Sequence, residues 1–406
     1  MKLFLVFTLL FSAVSSVGAR ELLSPAPPSV HGDVASGPSA LLGRAFGAAS
    51  KLPEVPHLKT RGRLQEDLVE ALLEAGGPVG LAREWADGIS NWRGALGVAA
   101  ISVHLAKEGE EQAAKAALEA ARALEAELTD STEQGWRRNR VRARIALAYA
   151  ILGDKATAAG IQARIDATEG GMLSVYAASI LDPELIEAQA EQLFELAAAG
   201  TSDEARFALE AVSVFYGRVH GDEELREKLY AGLIEHWKQV PLVPRMELLD
   251  LFARGDVENG APVLAQAKID RIEEMVRTNK VLLEDQVALR ARVALLRGLA
   301  GQGEAGVAMA DEALAKYDEV RESINSIWRG RALRPLAEAY ASLGQRMIAS
   351  DLYERALAEA VVNPNSRPRV EDLVKISISI TRSGIEPTRS LEQALERVAN
   401  GVGEPW

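Results

Sequence analysis

Between about residues 62 and 400 the apolar positions recur at helical spacing, and small residues sit where two helices would touch. The stretch from Leu336 to Ala360, LAEAYASLGQRMIASDLYERALAEA, shows the pattern most clearly. Its first half is an apolar helix with Ala337 and Tyr340 on it, and a Leu343-Gly344 turn follows. Its second half carries Ala349, Tyr353, Ala356 and Leu357 on a second helix. Small side chains let two antiparallel helices approach closely, and a glycine ends the first helix because it takes the left-handed backbone conformation at low cost. Each such pair buries one face and needs a neighbouring pair to complete a core.

Three tryptophan-arginine dipeptides mark the period. Trp92-Arg93 and Trp136-Arg137 each begin 17 residues before a glycine, Gly109 and Gly153, and Trp328-Arg329 begins 16 before Gly344. The first two dipeptides are 44 residues apart. Further turns are expected near Asp182-Pro183, Gly221, Gly255, Gly384, and at either Gly301 or Gly303. The units around 165–200 and 235–280 read as irregular. One continuous array over 62–400 is expected, the alternative being two parts with a break near Pro241–Pro244.

This layout resembles the tetratricopeptide-repeat family. Leu336 to Ala360 matches it best. Ile145, Ala146, Tyr149, Leu152-Gly153-Asp154 and Ala158 match the first helix, the turn and the second helix. Ser102, Leu105, Gly109, Ala114, Leu118 and Ala121 match with substitutions at the turn, and Ala294, Gly301, Ala313 and Leu314 match loosely. The unit is longer than the family's ~34 residues, and its closing proline is absent or displaced to Pro364. The resemblance covers about half the chain and implies fold rather than function: an all-α solenoid of antiparallel helix pairs coiled as a right-handed superhelix. A helical bundle or a closed α/α toroid is the rival architecture.

The N-terminus follows a different pattern. Lys2, the apolar run Leu3 to Phe11, and small residues ending in Val17-Gly18-Ala19 have the layout of a secretory signal peptide cleaved after Ala19. The apolar run is too short for the ~20 residues of a membrane span. The expected location is therefore periplasmic or secreted, with no span in the mature protein. Residues 20–61 contain Pro25, Pro27, Pro28, Pro38, Pro53 and Pro56 and read as a linker with room for one short helix at Leu41–Ser50. Residues 401–406 read as a tail.

Composition agrees with helices: aromatics make up 5% and hydrophobic residues 48%. The net charge of −12 argues against general nucleic-acid binding. There is no cysteine, so disulfides and thiolate sites are excluded. The five histidines show no metal-ligand spacing. Gly298 to Gly306 is glycine-rich but lacks the lysine and the strand of a phosphate loop. No catalytic residue, cofactor site or metal site is assigned. For a polysaccharide-acting enzyme, the least unfavourable candidates are Glu84, Trp85 and Asp87.

One constellation remains. Arginines crowd the first helices of several pairs. Counted back from the turn glycine, Arg140, Arg290 and Arg331 share position minus 13 if Gly303 is the turn of the middle unit. Positive charge near a helix N-terminus opposes the helix dipole, so something should offset it. One offset is a binding surface, concave in a tetratricopeptide-like array, made of Trp92, Arg93, Trp136, Arg137, Arg140, Arg144, Arg290, Trp328, Arg329 and Arg331. The other is internal pairing with Glu119, Glu125, Glu127, Glu319 and Glu322, with the tryptophans as core wedges. The functional expectation is an exported protein- or peptide-binding or scaffolding module, and the arginine stripe would suit an acidic partner. The alternatives are the toroidal enzyme and a self-associating envelope protein.

Overall fold

The computed structural model describes residues 37–128, 135–165, 178, 181 and 183–405. The expected signal peptide, residues 20–36 of the expected linker and Asp182 lie outside the described residues. Among those described there are eighteen α-helices and no strand. The helices pack in succession against their chain neighbours, as in an all-α solenoid. No described helix is long and apolar enough to cross a membrane. The chain divides into two compact units, one formed by residues 1–85 with 269–406 and the other by residues 86–268.

The unit of residues 86–268 contains α4 (Arg93–Lys107), α5 (Glu111–Glu127), α6 (Gly135–Ile151), α7 (Lys155–Gln162), α8 (Ile186–Ala199), α9 (Ser202–Arg218), α10 (Glu223–Glu235), α11 (Leu242–Glu258) and the start of α12 (Pro262–Thr278). α4 packs on α5 and α6, α6 on α7, α8 on α9, and α9 on α11. The Pro241–Pro244 segment is no break: Pro241 precedes α11 and Pro244 lies in its first turn, where a missing amide costs little. The expected turn at Gly255 falls inside α11, and the turn glycine is Gly260, with φ 74°. A Cβ at Gly255 would stand 3.6 Å from the Tyr216 ring. The core here includes a polar knot. The fully buried Asp256 accepts hydrogen bonds from the Tyr216 hydroxyl (2.8 Å) and Lys268 Nζ (2.7 Å) and lies 3.1 Å from His220 Nε2. Burial and the neighbouring carboxylate push the Tyr216 hydroxyl pKa well up.

The other unit contains α1 (Pro38–Ser50), α2 (Glu54–Glu74), most of α3 (Val79–Asp87), the end of α12, α13 (Leu283–Leu299), α14 (Gly303–Val320), α15 (Ser326–Ser342), α16 (Arg346–Val362), α17 (Ser366–Arg382) and α18 (Arg389–Asn400). α13 packs on α14 and α15, α15 on α16, and α16 on α17 and α18. Small residues make the α15–α16 contact tight: Ala332, Ala337 and Ala339 are buried against Ala349, Ala356 and the fully buried Tyr353.

Residues 38–61, expected as mostly linker, are helical. α1 spans the suggested 41–50 segment, and α2 begins at Glu54. Both pack against α17. Leu41 and Ala48 belong to the same apolar core as Leu391, Leu395 and Val398 of α18. Apolar residues at 41, 42, 45, 48 and 49 face inward on one stripe, which outweighs the proline signal around them. Lys51 Nζ donates to the Ala399 carbonyl at the end of α18 (3.0 Å). The tail folds back as well, the Ser366 amide donating to the Pro405 carbonyl (2.8 Å).

Five first helices start at residues 202, 242, 283, 326 and 366, which gives a unit of 40 to 43 residues. Each of these helices has 17 residues, and that length accounts for the long repeat. The 235–280 stretch, expected to be irregular, holds two 17-residue helices.

Candidate functional site

The turn glycine of the α13–α14 pair is Gly301, with φ 82°. The Gln302 amide donates to the Arg297 carbonyl (2.8 Å), the bond that closes a left-handed helix end. Gly303 is the first residue of α14. Arg290 is therefore at minus 11, not minus 13, and aligns with Arg142 rather than with Arg140 and Arg331. It is half-buried on α13. Arg140 and Arg331 keep a common position.

In the unit of residues 86–268, the Trp92 and Trp136 rings meet edge to face at 5.3 Å. Arg93 lies over Trp92 (4.6 Å), and Arg137 and Arg140 lie over Trp136 (5.3 and 4.9 Å). All five side chains are half-buried, so the tryptophans are neither core wedges nor free rings. Each stacking is worth about 0.5–1 kcal/mol at such positions. On the same helix, Arg138 and Arg142 both donate to Glu125 Oε1 of α5, Arg142 at 2.8 Å. Arg144 is 9% exposed and faces the Leu96 carbonyl (3.4 Å), so it belongs to the interior and not to a binding surface.

In the other unit, α15 carries Trp328, Arg329, Arg331 and Arg334. Arg329 is also interior: its Nε donates to the Ile324 carbonyl (2.9 Å), and it bonds Glu322 (3.3 Å). It lies 3.8 Å from Glu359, which is clamped by Arg321 at 2.5 and 3.0 Å. Trp85, of the tentative glycan-acting set, is buried and stacked on Phe46 at 4.7 Å, so it offers no surface ring.

Trp328 and Arg331 take part in a different arrangement. They line a cleft of about 80 Å³ between α15 and α17, with Ile327, Arg334, Arg367, Glu371, Asp372, Lys375 and Ile376. Trp328 is 37% exposed, and Arg331 lies over its ring at 5.2 Å. Four cations thus face two carboxyls. The ion pairs present are long: Arg367 to Glu371 is 3.9 Å and Arg334 to Glu338 is 3.8 Å, while Arg63 of α2 reaches Glu371 at 3.8 Å. Arg334 Nε is buried without a hydrogen-bond partner. Among the described residues, no carboxylate oxygen comes within hydrogen-bond distance of Arg331, Arg334 or Arg367.

The floor of the cleft is shaped by Gly330. A Cβ there would stand 3.0 Å from the Ala356 carbonyl oxygen and 3.4 Å from Asp372 Oδ2, so glycine lets α16 and Asp372 close in on α15. Burial pushes the Asp372 carboxyl up to about 7, against the pull of Lys375, Arg334 and Arg331 and with the push of Glu371. Burial lowers the Lys375 amine; Arg334, Arg63 and Arg331 act in the same direction, and Glu371 opposes them. Pro335 removes the amide that would bond the Arg331 carbonyl within α15, although the helix runs on through it.

Of the ten predicted residues, the structure brings Trp92, Arg93, Trp136, Arg137 and Arg140 together in one unit, and Trp328 with Arg331 in the other. The sequence also shows Arg334 among the arginines of this helix without placing it in the candidate surface, and sequence reasoning missed Arg367, Glu371, Asp372 and Lys375. The signal was available: residues 367, 371 and 375 follow at four-residue spacing on one helix face. No protein-family model matches the chain, and no curated protein matches it significantly.

Proposed function

We propose that this chain is an exported binding or scaffolding module of tetratricopeptide-like helix pairs that recognises a protein or peptide partner. The carrying observation is the α15–α17 cleft, where a partly exposed tryptophan stands beside guanidiniums not held by carboxylates at hydrogen-bond distance. Flat aromatic rings and arginines supply a large share of binding energy at protein interfaces. Elsewhere on these helices the arginines are engaged by Glu125, Glu322 and Glu359. The signal-like N-terminus supports action outside the cytoplasm.

The test is affinity capture with the purified full chain and with a Trp328→Ala/Arg331→Ala variant, each captured protein then being re-bound in purified form. A partner recovered by the parent and lost roughly tenfold or more by the variant is expected. Identical recovery by both would sink the cleft as the partner surface. Export is tested separately by sequencing the N-terminus of the protein from the extracytoplasmic fraction: Arg20 is the expected first residue, and an intact Met1 speaks against cleavage.

A further inference from the structure

The cleft also indicates the chemical group it takes. Its lining presents Arg331, Arg334, Arg367 and Lys375, but also Glu371 and Asp372. A guanidinium fork matches carboxylate and phosphate equally well in shape. The two carboxyls decide between these ligands. A phosphate near neutral pH carries up to two negative charges and would set both against the Glu371 carboxylate. A carboxylate brings one charge, and the cationic surplus of the lining is enough to hold it.

The remaining walls fit the same choice. Ile327, Ile376, Pro368 and the Trp328 ring offer apolar surface of the kind that covers a short methylene stem. The cleft, of about 80 Å³ and open to solvent, has room for a side chain. The buried Arg334 Nε makes no hydrogen bond, its nearest carboxylate oxygen being that of Glu338 at 3.8 Å, and is a donor in need of an acceptor. Asp372, its carboxyl raised to about 7 by burial, can in its protonated form donate an O–H hydrogen bond to an incoming carboxylate.

We infer that the α15–α17 cleft is a carboxylate pocket that seats one glutamate or aspartate side chain of a partner polypeptide, held by Arg331, Arg334 and Arg367 with its stem against Trp328. This rests on the reading of the chain as a polypeptide-binding module and names the group recognised.

The test is fluorescence anisotropy of a labelled hexaglutamate peptide with the purified full chain at fixed ionic strength, with hexaglutamine as the uncharged control. Binding of hexaglutamate alone is expected, weakened about tenfold or more by Arg331→Gln/Arg367→Gln. Arg382→Gln removes an equal charge at the surface pair with Glu74 and should leave binding within about twofold, the range of exposed pairs. Arg331→Gln alone, at an exposed position, serves if the double variant melts early by circular dichroism, and should still weaken binding. Inorganic phosphate should compete less well than unlabelled hexaglutamate. Absent hexaglutamate binding, binding indifferent to the cleft variants, or phosphate competing as strongly as the unlabelled peptide overturns the carboxylate pocket. None of these results touches the module reading, which stands or falls on capture and re-binding of a purified partner by the parent chain.

Discussion

Helices α6 and α15 carry the same pattern, tryptophan followed by a run of arginines, and put it to different uses. On α6, Arg138 and Arg142 close on Glu125, Arg144 is buried, and Arg137 and Arg140 stack on Trp136, which touches the Trp92 ring that Arg93 of α4 covers. On α15, Arg329 is tied to Glu322 and the Ile324 carbonyl, but Arg331 and Arg334 point into a cleft whose carboxylates stay beyond hydrogen-bond distance. Arginine density in the sequence therefore does not separate a brace from a site. The separation comes from whether a glutamate on the facing helix arrives at the right height, as Glu125 does for α6.

The sharpest way to break this comparison is Glu125→Ala. It would leave two largely buried guanidiniums facing each other, and a loss of about 3 kcal/mol is expected from such a broken buried pair, read as a lower urea midpoint. A midpoint unchanged within error would mean that α6 is no better braced than α15. Next comes Gly330→Ala. The added carbon would meet the Ala356 carbonyl oxygen at 3.0 Å, backbone that cannot swing away. A cost of about 1–3 kcal/mol is expected from overpacking, together with weaker hexaglutamate binding as Asp372 is displaced.

Asp372 supplies the third test. Its carboxyl is raised from 3.8 to about 7 in the folded protein, so the fold binds this proton more tightly than the unfolded chain does. The stabilisation is complete below the unfolded value and is lost as pH rises through the folded one. Stability should therefore fall by about 1–2 kcal/mol between acid and neutral pH, after allowing for solvent screening. Asp372→Asn should flatten that part of the denaturation profile, and an unaltered slope would remove the case for a half-protonated floor. The smallest effect on stability is expected for Arg331→Gln, within about 0.5 kcal/mol as for exposed residues lacking strong partners, although binding should suffer. A large drop in melting temperature for that variant would show Arg331 to be a brace after all.

Much of the fold was legible because its signals are local. Gly109, Gly153, Gly344 and Gly384, all expected at turns, carry positive φ, and the small residues on either side of Gly344 pack as the pattern requires. The register at Gly301 was not legible, since either nearby glycine could end the helix, and choosing Gly303 moved Arg290 into a false alignment. The docking of α1 and α2 was obscured because prolines dominate the composition there while the inward stripe of α1 is short. The cleft was half legible. Trp328 and Arg331 stood out on their own helix, but their companions Arg367 and Lys375 lie on α17, and only packing brings the two helices together.

The joining of the two chain ends has a consequence in time. Leu41, near the start, shares a core with Leu391, near the end, and Lys51 closes the last helix. During synthesis α1 and α2 emerge first and can pack on each other, but the rest of their apolar surface waits for α17, which begins only at Ser366, and for α18. Contacts that remote in sequence form slowly and leave sticky intermediates. A chain that still lacks α17 and α18 therefore cannot complete this unit.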